Sequence, residues 1–419
     1  MTDKVKFKLG RPERLSDDRL ILLMFAVLAV IPLFNGLVLL TEPGGLHSPY
    51  YFVGYSTGFG ARKLLGTLFT VLLPDYATHK HLVPYIWGAL LMVFLLFAFY
   101  FSRTFKGTNL SSNRNALPFF LATTVYLASS YSLLSCYTLV WYADIWLYLL
   151  TLVFISLFAR FRSKGLWPVA YGVIVLTACL VHHIFCCLFF PLFVALFIHE
   201  ILDGDKLVVK NLLAYGGIIA AVGALFVCLW SFSSMNIGFE ELSSELKQRA
   251  DDVCDSNPWL LNLLYGSSAD NYHTMWTEGQ FPTRYYQFPF LLLLLSPLIA
   301  IFVSPWIMCV RHAKNRVRKA KYLLMLCVPT VMFLPVFAVA TDYGRWMMAW
   351  FFCQALLLLT MYRIGDVHII AAMRTLFNWC RHHMVVAILL VAYILLLRLT
   401  PNDNSGVNVL SFAARLLAP

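Results

Sequence analysis

The ionisable residues that interrupt long apolar runs are the places in this chain where chemistry can reside. Between Val328 and Tyr362 one such run is broken near its middle by Thr341-Asp342-Tyr343-Gly344-Arg345-Trp346. Charged groups held beside hydrocarbon are costly, and function is their default reading. Asp342 and Arg345 stand three residues apart with Tyr343 and Trp346 beside them. One reading is an interfacial ion pair and aromatic belt that anchor two helix ends. The other is chemical, with Arg345 binding an anion, Asp342 taking a proton and the rings stacking on a ligand.

A second constellation lies at Gly54–Leu73, GYSTGFGARKLLGTLFTVLL. Gly58 and Gly60 free the backbone just before Arg62 and Lys63, and an apolar stretch too short to span a membrane follows. Backbone N–H groups, two cations and a helix start together suit a phosphate or diphosphate. The plain alternative is a basic pair snorkelling to lipid headgroups. Asp144, in Trp141-Tyr142-Ala143-Asp144, opens another apolar run, either as a helix-terminal acid or as a catalytic one. His182 and His183 sit at a break between two apolar segments, where a near-neutral imidazole suits proton transfer. Adjacent histidines on one helix diverge, so only one of them is expected to face a site. A metal at His183, Cys186 and Cys187 lacks a fourth ligand and is not expected. Arg284 completes the outer cations.

The elements that must position these groups are membrane helices. Hydrophobic residues make up 60 % of the 419, charged residues only 13 %, and the mean hydropathy is +0.73. This excludes an ordinary soluble domain. Solid apolar runs, rather than short alternating ones, exclude a β-barrel. The expected fold is an all-α polytopic membrane protein of about eleven spans. They fall near 20–40, 82–102, 116–135, 143–159, 167–182, 184–199, 210–232, 287–308, 322–340, 345–362 and 384–399. The charged N-terminal lead is followed by an apolar segment too long for a cleaved signal peptide. The ten cysteines are scattered, so no disulfide framework is indicated.

The formal charge of +11 is an orientation signal rather than a nucleic-acid patch. Most Lys and Arg residues fall in the N-terminal tail and in loops near 103–115, 160–166, 200–209, 309–321 and 363–383. Such loops stay cytoplasmic, which puts the N-terminus inside and the C-terminus outside. The whole chain, 1–419, then reads as a single transmembrane domain with two long extracytoplasmic loops. The first, 41–81, carries a re-entrant or interfacial helix and the acids Glu42 and Asp75. The second, 233–286, is acidic, and Phe239–Ala250 within it has the pattern of a short amphipathic helix. Arg62, Lys63, Asp144, His183, Arg284, Asp342 and Arg345 all come to the outer face.

Cations at the outer surface beside a carboxylate or imidazole suit transfer from a lipid-linked diphosphate. Cations stabilise the leaving group without a metal, and an acid or histidine takes the acceptor's proton. With its many short spans, its large outer loops, the Gly-Phe-Gly-Ala-Arg-Lys segment (58–63) and the Asp-Tyr-Gly-Arg-Trp hairpin (342–346), the chain resembles bacterial membrane polysaccharide polymerases of the Wzy (O-antigen polymerase) type. That resemblance implies an enzyme of the bacterial inner membrane, joining polyprenyl-diphosphate-linked glycan units at the extracytoplasmic face. It implies that Arg62 and Arg345 hold the diphosphate and that His183 or Asp342 activates the acceptor. No cofactor is implied; the partners would be the lipid-linked glycan, the bilayer and a chain-length regulator or other assembly protein. A GT-C-like arrangement is the related alternative, and the chain departs from it in that only Glu42 stands where those enzymes carry an Asp/Glu pair. The alternatives are a transporter or flippase for a charged lipid or solute, which would bury charges mid-span, and a membrane O-acyltransferase using a histidine such as His183.

Overall fold

A computed structural model describes residues 48–397, apart from 74–76, 109, 111–112, 140, 163–164, 203–205, 251–261, 263, 278–286 and 340–341. The expected first span, both termini, Glu42, Asp75, Arg284 and Thr341 lie outside the described residues.

The chain is an all-α polytopic membrane protein. Its helices are α1 (Leu64–Leu72), α2 (His79–Phe105), α3 (Leu117–Ala128), α4 (Asp144–Phe161), α5 (Trp167–Val181), α6 (Phe185–Leu188), α7 (Phe190–Ile201) and α8 (Val209–Ser231). They continue with α9 (Phe239–Ala250), α10 (Ser268–Thr277), α11 (Gln287–Leu294), α12 (Ser296–His312), α13 (Arg316–Val331), α14 (Leu334–Val339), α15 (Tyr343–Ile364), α16 (Val367–His382) and α17 (Met384–Leu396). Among the described residues, 7 segments are long and apolar enough to cross a membrane, or 8 if α16 and α17, bent by 104°, count as one. α5 and α7 are shorter, at 15 and 12 residues. Within the stretch 363–383, whose charges suggest a loop, residues 367–382 form α16. Its Ile369, Ala372 and Met373 are buried, a spacing of three to four that gives a helix one packed face.

Prolines set the breaks. Each of α3, α7 and α12 has Pro in its first turn, where the missing N–H costs nothing. α15 is the axis of the bundle. It is apolar all round, from Trp346 to Met361 nearly every side chain is buried, and α2, α3, α4, α7, α12 and α16 pack around it. A helix without a polar face must be enclosed or lipid-facing, and here protein encloses it. Two bonds fix its register: the hydroxyls of Tyr100 and Thr360 lie 2.8 Å apart, and Trp350 Nε1–H donates to the Pro329 carbonyl at 2.7 Å.

At one end of the bundle Asp366 ties the helices together. It caps α16 by accepting from the N–H groups of His368 and Ile369, and it accepts the Tyr322 hydroxyl at 2.8 Å and faces His199 at 3.3 Å. Burial alone would raise its pKa, but these bonds outweigh it and hold the carboxyl well below the usual range.

The first loop is folded back on itself at the other end. α1 packs so closely on residues 53–54 that a Cβ at Gly66 would overlap the Val53 carbonyl. A two-residue ladder, Gly58–Phe59 against Ser234–Met235, stitches this loop to the second one. Gly58 has φ +134°, a conformation that side chains resist. Gly66→Ala is therefore expected to destabilise by about 1–3 kcal/mol, the usual cost of overpacking. Thermal unfolding of the detergent-solubilised variant checks this.

Candidate functional site

The charged hairpin at Asp342–Arg345 meets residues from two distant parts of the chain. Arg345 opens α15, 8 % exposed, and its guanidinium reaches two carboxylates. Its NH2 lies 2.9 Å from Asp342 Oδ2, and its Nε lies 3.2 Å from Asp144 Oδ2. Its flat face covers the Tyr142 ring, 4.4 Å from the centroid, a favourable cation–π placement. Asp144 is the first residue of α4 and is 3 % exposed. Buried charges persist only when paired, so the pairing explains both buried residues.

The pairing is incomplete. Asp144 Oδ1 and the Arg345 Nε–H make no hydrogen bond, and neither does the buried Trp346 Nε1–H. A buried carboxylate oxygen without a donor costs stability unless something else uses it.

Arg62 comes to the same place from the first loop. Its φ of +67° puts it in the left-handed region, uncommon for a residue with a side chain. Strain of this kind is kept where the surroundings enforce it. Arg62 Nε–H donates to His182 Nε2 at 3.2 Å, and its guanidinium lies over Tyr50 at 5.8 Å. Among the described residues no carboxylate pairs with it. Burial lowers its pKa and Arg345 adds to this, while Tyr50, Asp144 and Asp342 oppose. Burial raises the Tyr50 phenol, and Arg62 and Arg345 pull it back. Two guanidinium groups and two carboxylates thus act on one tyrosine, balanced in charge. Arg345 is committed to its carboxylates. Arg62, by contrast, has a histidine as its partner.

The histidines differ in role. α5 ends at Val181, and His182 is extended, with φ −159° and ψ 118°. The two rings therefore stack 5.1 Å apart instead of diverging as they would on a helix. His182 Nδ1 faces the Ile184 N–H at 3.1 Å while Nε2 faces Arg62. A neutral imidazole accepts at one nitrogen only, so the Arg62 contact is exchangeable. His183 points elsewhere: its Nε2 lies 3.1 Å from Ser268 Oγ, and Phe226 and Trp230 pack around it. Burial, with Arg62 nearby, holds His183 well below its ordinary pKa, so it stays neutral at physiological pH.

Lys63 diverges from its neighbour. It is 1 % exposed, and among the described residues its ammonium meets the Phe59 carbonyl at 3.4 Å and Met235 Sδ at 2.9 Å. Burial pushes its pKa down to about 8. Its charge is present below that pH and lost as pH rises through it. Where Lys63 helps to attract the anion, activity is expected to fall between pH 7 and 9 and Lys63→Arg to flatten that fall. A pH–rate profile of both proteins checks this.

Of the aromatic candidates, Tyr343 and Trp346 turn into the core, 3 % and 0 % exposed. Phe337 stacks on Tyr343 at 5.4 Å and meets Trp346 edge-on at 5.6 Å. The rings beside the guanidinium groups are Tyr50 and Tyr142. Tyr50 carries no charge or motif that marks it in sequence. Arg284 lies outside the described residues. No family model, curated protein or solved structure compared with the chain matches it.

Proposed function

We propose that this chain transfers glycan units from a polyprenyl-diphosphate carrier, as a surface-polysaccharide polymerase. The observation that carries the reading is the convergence of Arg62 and Arg345 with Asp144, whose Oδ1 is unpaired, at one buried end of the bundle. The charged loops support an orientation with the N-terminus in the cytoplasm and this end outside; about eleven spans and a bacterial inner membrane belong to the same proposal.

In the proposed reaction Arg62 leaves His182 and binds the diphosphate. The bond between the sugar's anomeric carbon and the diphosphate oxygen breaks, and its electrons go to the leaving group, where the guanidinium stabilises the charge. The acceptor hydroxyl donates its proton to Asp144 Oδ1 as its oxygen bonds to the anomeric carbon. Arg345 holds Asp144 in place, and Asp342 balances Arg345. The ladder between Gly58–Phe59 and Ser234–Met235, with the bond between His183 and Ser268, keeps the second loop over the site.

Asp144→Asn removes the proton acceptor with little change of shape. In cells it is expected to lower polymer formation by about 10²–10⁴-fold, the usual contribution of a general base. Electrophoresis of surface polysaccharide would then show single units and no ladder. A normal ladder from a well-expressed variant removes Asp144 from this role.

A further inference from the structure

We propose that Cys179 and Cys186 form a disulfide that fixes the break carrying the two histidines. In apolar segments cysteine usually acts as a small hydrophobe, and the scattered spacing marks no pair. Among the described residues the fold brings one pair together. Cys179 lies in the last turn of α5 and Cys186 in α6, and their sulfurs are 3.4 Å apart, both side chains buried. Between them run Leu180, Val181, His182, His183, Ile184 and Phe185. The chain there leaves helical geometry at His182, which brings two sulfurs seven positions apart face to face. Bonding requires the sulfurs to close from there to about 2.05 Å.

The compartment supplies the chemistry. This end of the bundle is extracytoplasmic on the orientation proposed above, where disulfides form and persist. The oxidant is a thiol–disulfide oxidoreductase. As the chain folds, before both sulfurs are buried, the thiolate of Cys179 attacks its disulfide and gives a mixed disulfide. The thiolate of Cys186 then displaces the oxidoreductase thiol. Two S–H bonds break and one S–S bond forms within this chain, while the oxidoreductase takes up two electrons and two protons as its disulfide becomes a dithiol. The bond closes a short ring around His182 and His183, and so limits the ways the loop can open in the unfolded chain. It also holds His182, the imidazole that meets Arg62. The inference rests on the orientation, not on the glycan chemistry.

The test uses full-length protein in its native membranes. Lysis in N-ethylmaleimide with sodium dodecyl sulfate unfolds the protein and blocks every free thiol, and digestion without reductant is followed by mass spectrometry. The expected result is a peptide pair linked through Cys179 and Cys186, lighter by two hydrogen atoms than the free peptides, which separates on reduction. Reduction should also lower the melting temperature of the wild-type protein and leave Cys179→Ala/Cys186→Ala unchanged. Maleimide adducts on both cysteines overturn the proposal. A reporter fused within residues 233–286 separates two failures. Unlinked cysteines with an external reporter refute the disulfide itself; unlinked cysteines with a cytoplasmic reporter refute the disulfide through its orientation.

Discussion

Arg62→Ala is expected to slow transfer by about 10²–10³-fold, the scale of losing one donor to a developing anion, and to leave the protein folded. Two features separate these effects. Arg62 pairs with no carboxylate among the described residues, so its removal orphans no buried negative charge; its partner His182 can keep the bond from Ile184. Its left-handed backbone conformation also means that the folded state already bears that strain. Arg62→Lys keeps the charge but loses the planar fork, so a partial loss is expected, since point charges and bidentate donors are not equivalent. Initial rates with a lipid-diphosphate donor, beside thermal unfolding curves, check both variants. A full rate in Arg62→Ala would show that the anion is held elsewhere.

Arg345→Ala is expected to have the opposite profile: loss of stability first. Removing the guanidinium leaves Asp144 and Asp342 near each other without their cation, one of them deeply buried. Breaking a buried pair in this way costs about 3–5 kcal/mol. The same principle gives the control, because replacing all members of a buried pair can be nearly neutral. Asp144→Asn/Arg345→Met/Asp342→Asn should therefore regain much of the lost melting temperature while remaining inactive. A triple variant as unstable as Arg345→Ala would mean that the charges were not what held this end together. Together the two expected profiles would separate the arginines, with Arg345 building the site and Arg62 serving the proposed ligand.

The helical membrane fold is legible in the sequence because hydrocarbon demands long apolar runs, and such runs are visible in any chain. Phe239–Ala250 is legible for a related reason: its apolar residues recur at helical spacing. α16 is not, since its Arg374 and Arg381 match the composition of an inside loop as well as that of a surface helix. At the site the charged residues themselves stand out. Their pairing does not. Asp342 lies within one helical turn of Arg345, so the local pair accounts for the charge and hides Asp144, which is far away in sequence but 3.2 Å away in space. Adjacent histidines on a helix would diverge, and only the extended conformation of His182 makes them stack. Tyr343 and Trp346 are conspicuous beside the arginine, whereas the chain turns them inward and brings Tyr50 and Tyr142 to the guanidinium groups instead. Sequence neighbours of a charge are visible in one dimension; its packing partners are set by the crossing of helices.

The most direct test is reconstitution of the purified protein in lipid vesicles with a polyprenyl-diphosphate-linked oligosaccharide and no other protein. Glycan longer than the supplied unit is expected, with one polyprenyl diphosphate released for each unit joined, and neither product from Arg62→Ala or Asp144→Asn. Unchanged oligosaccharide with the wild-type protein, across donors of differing sugars, or equal product from both variants, would contradict glycan transfer at this site.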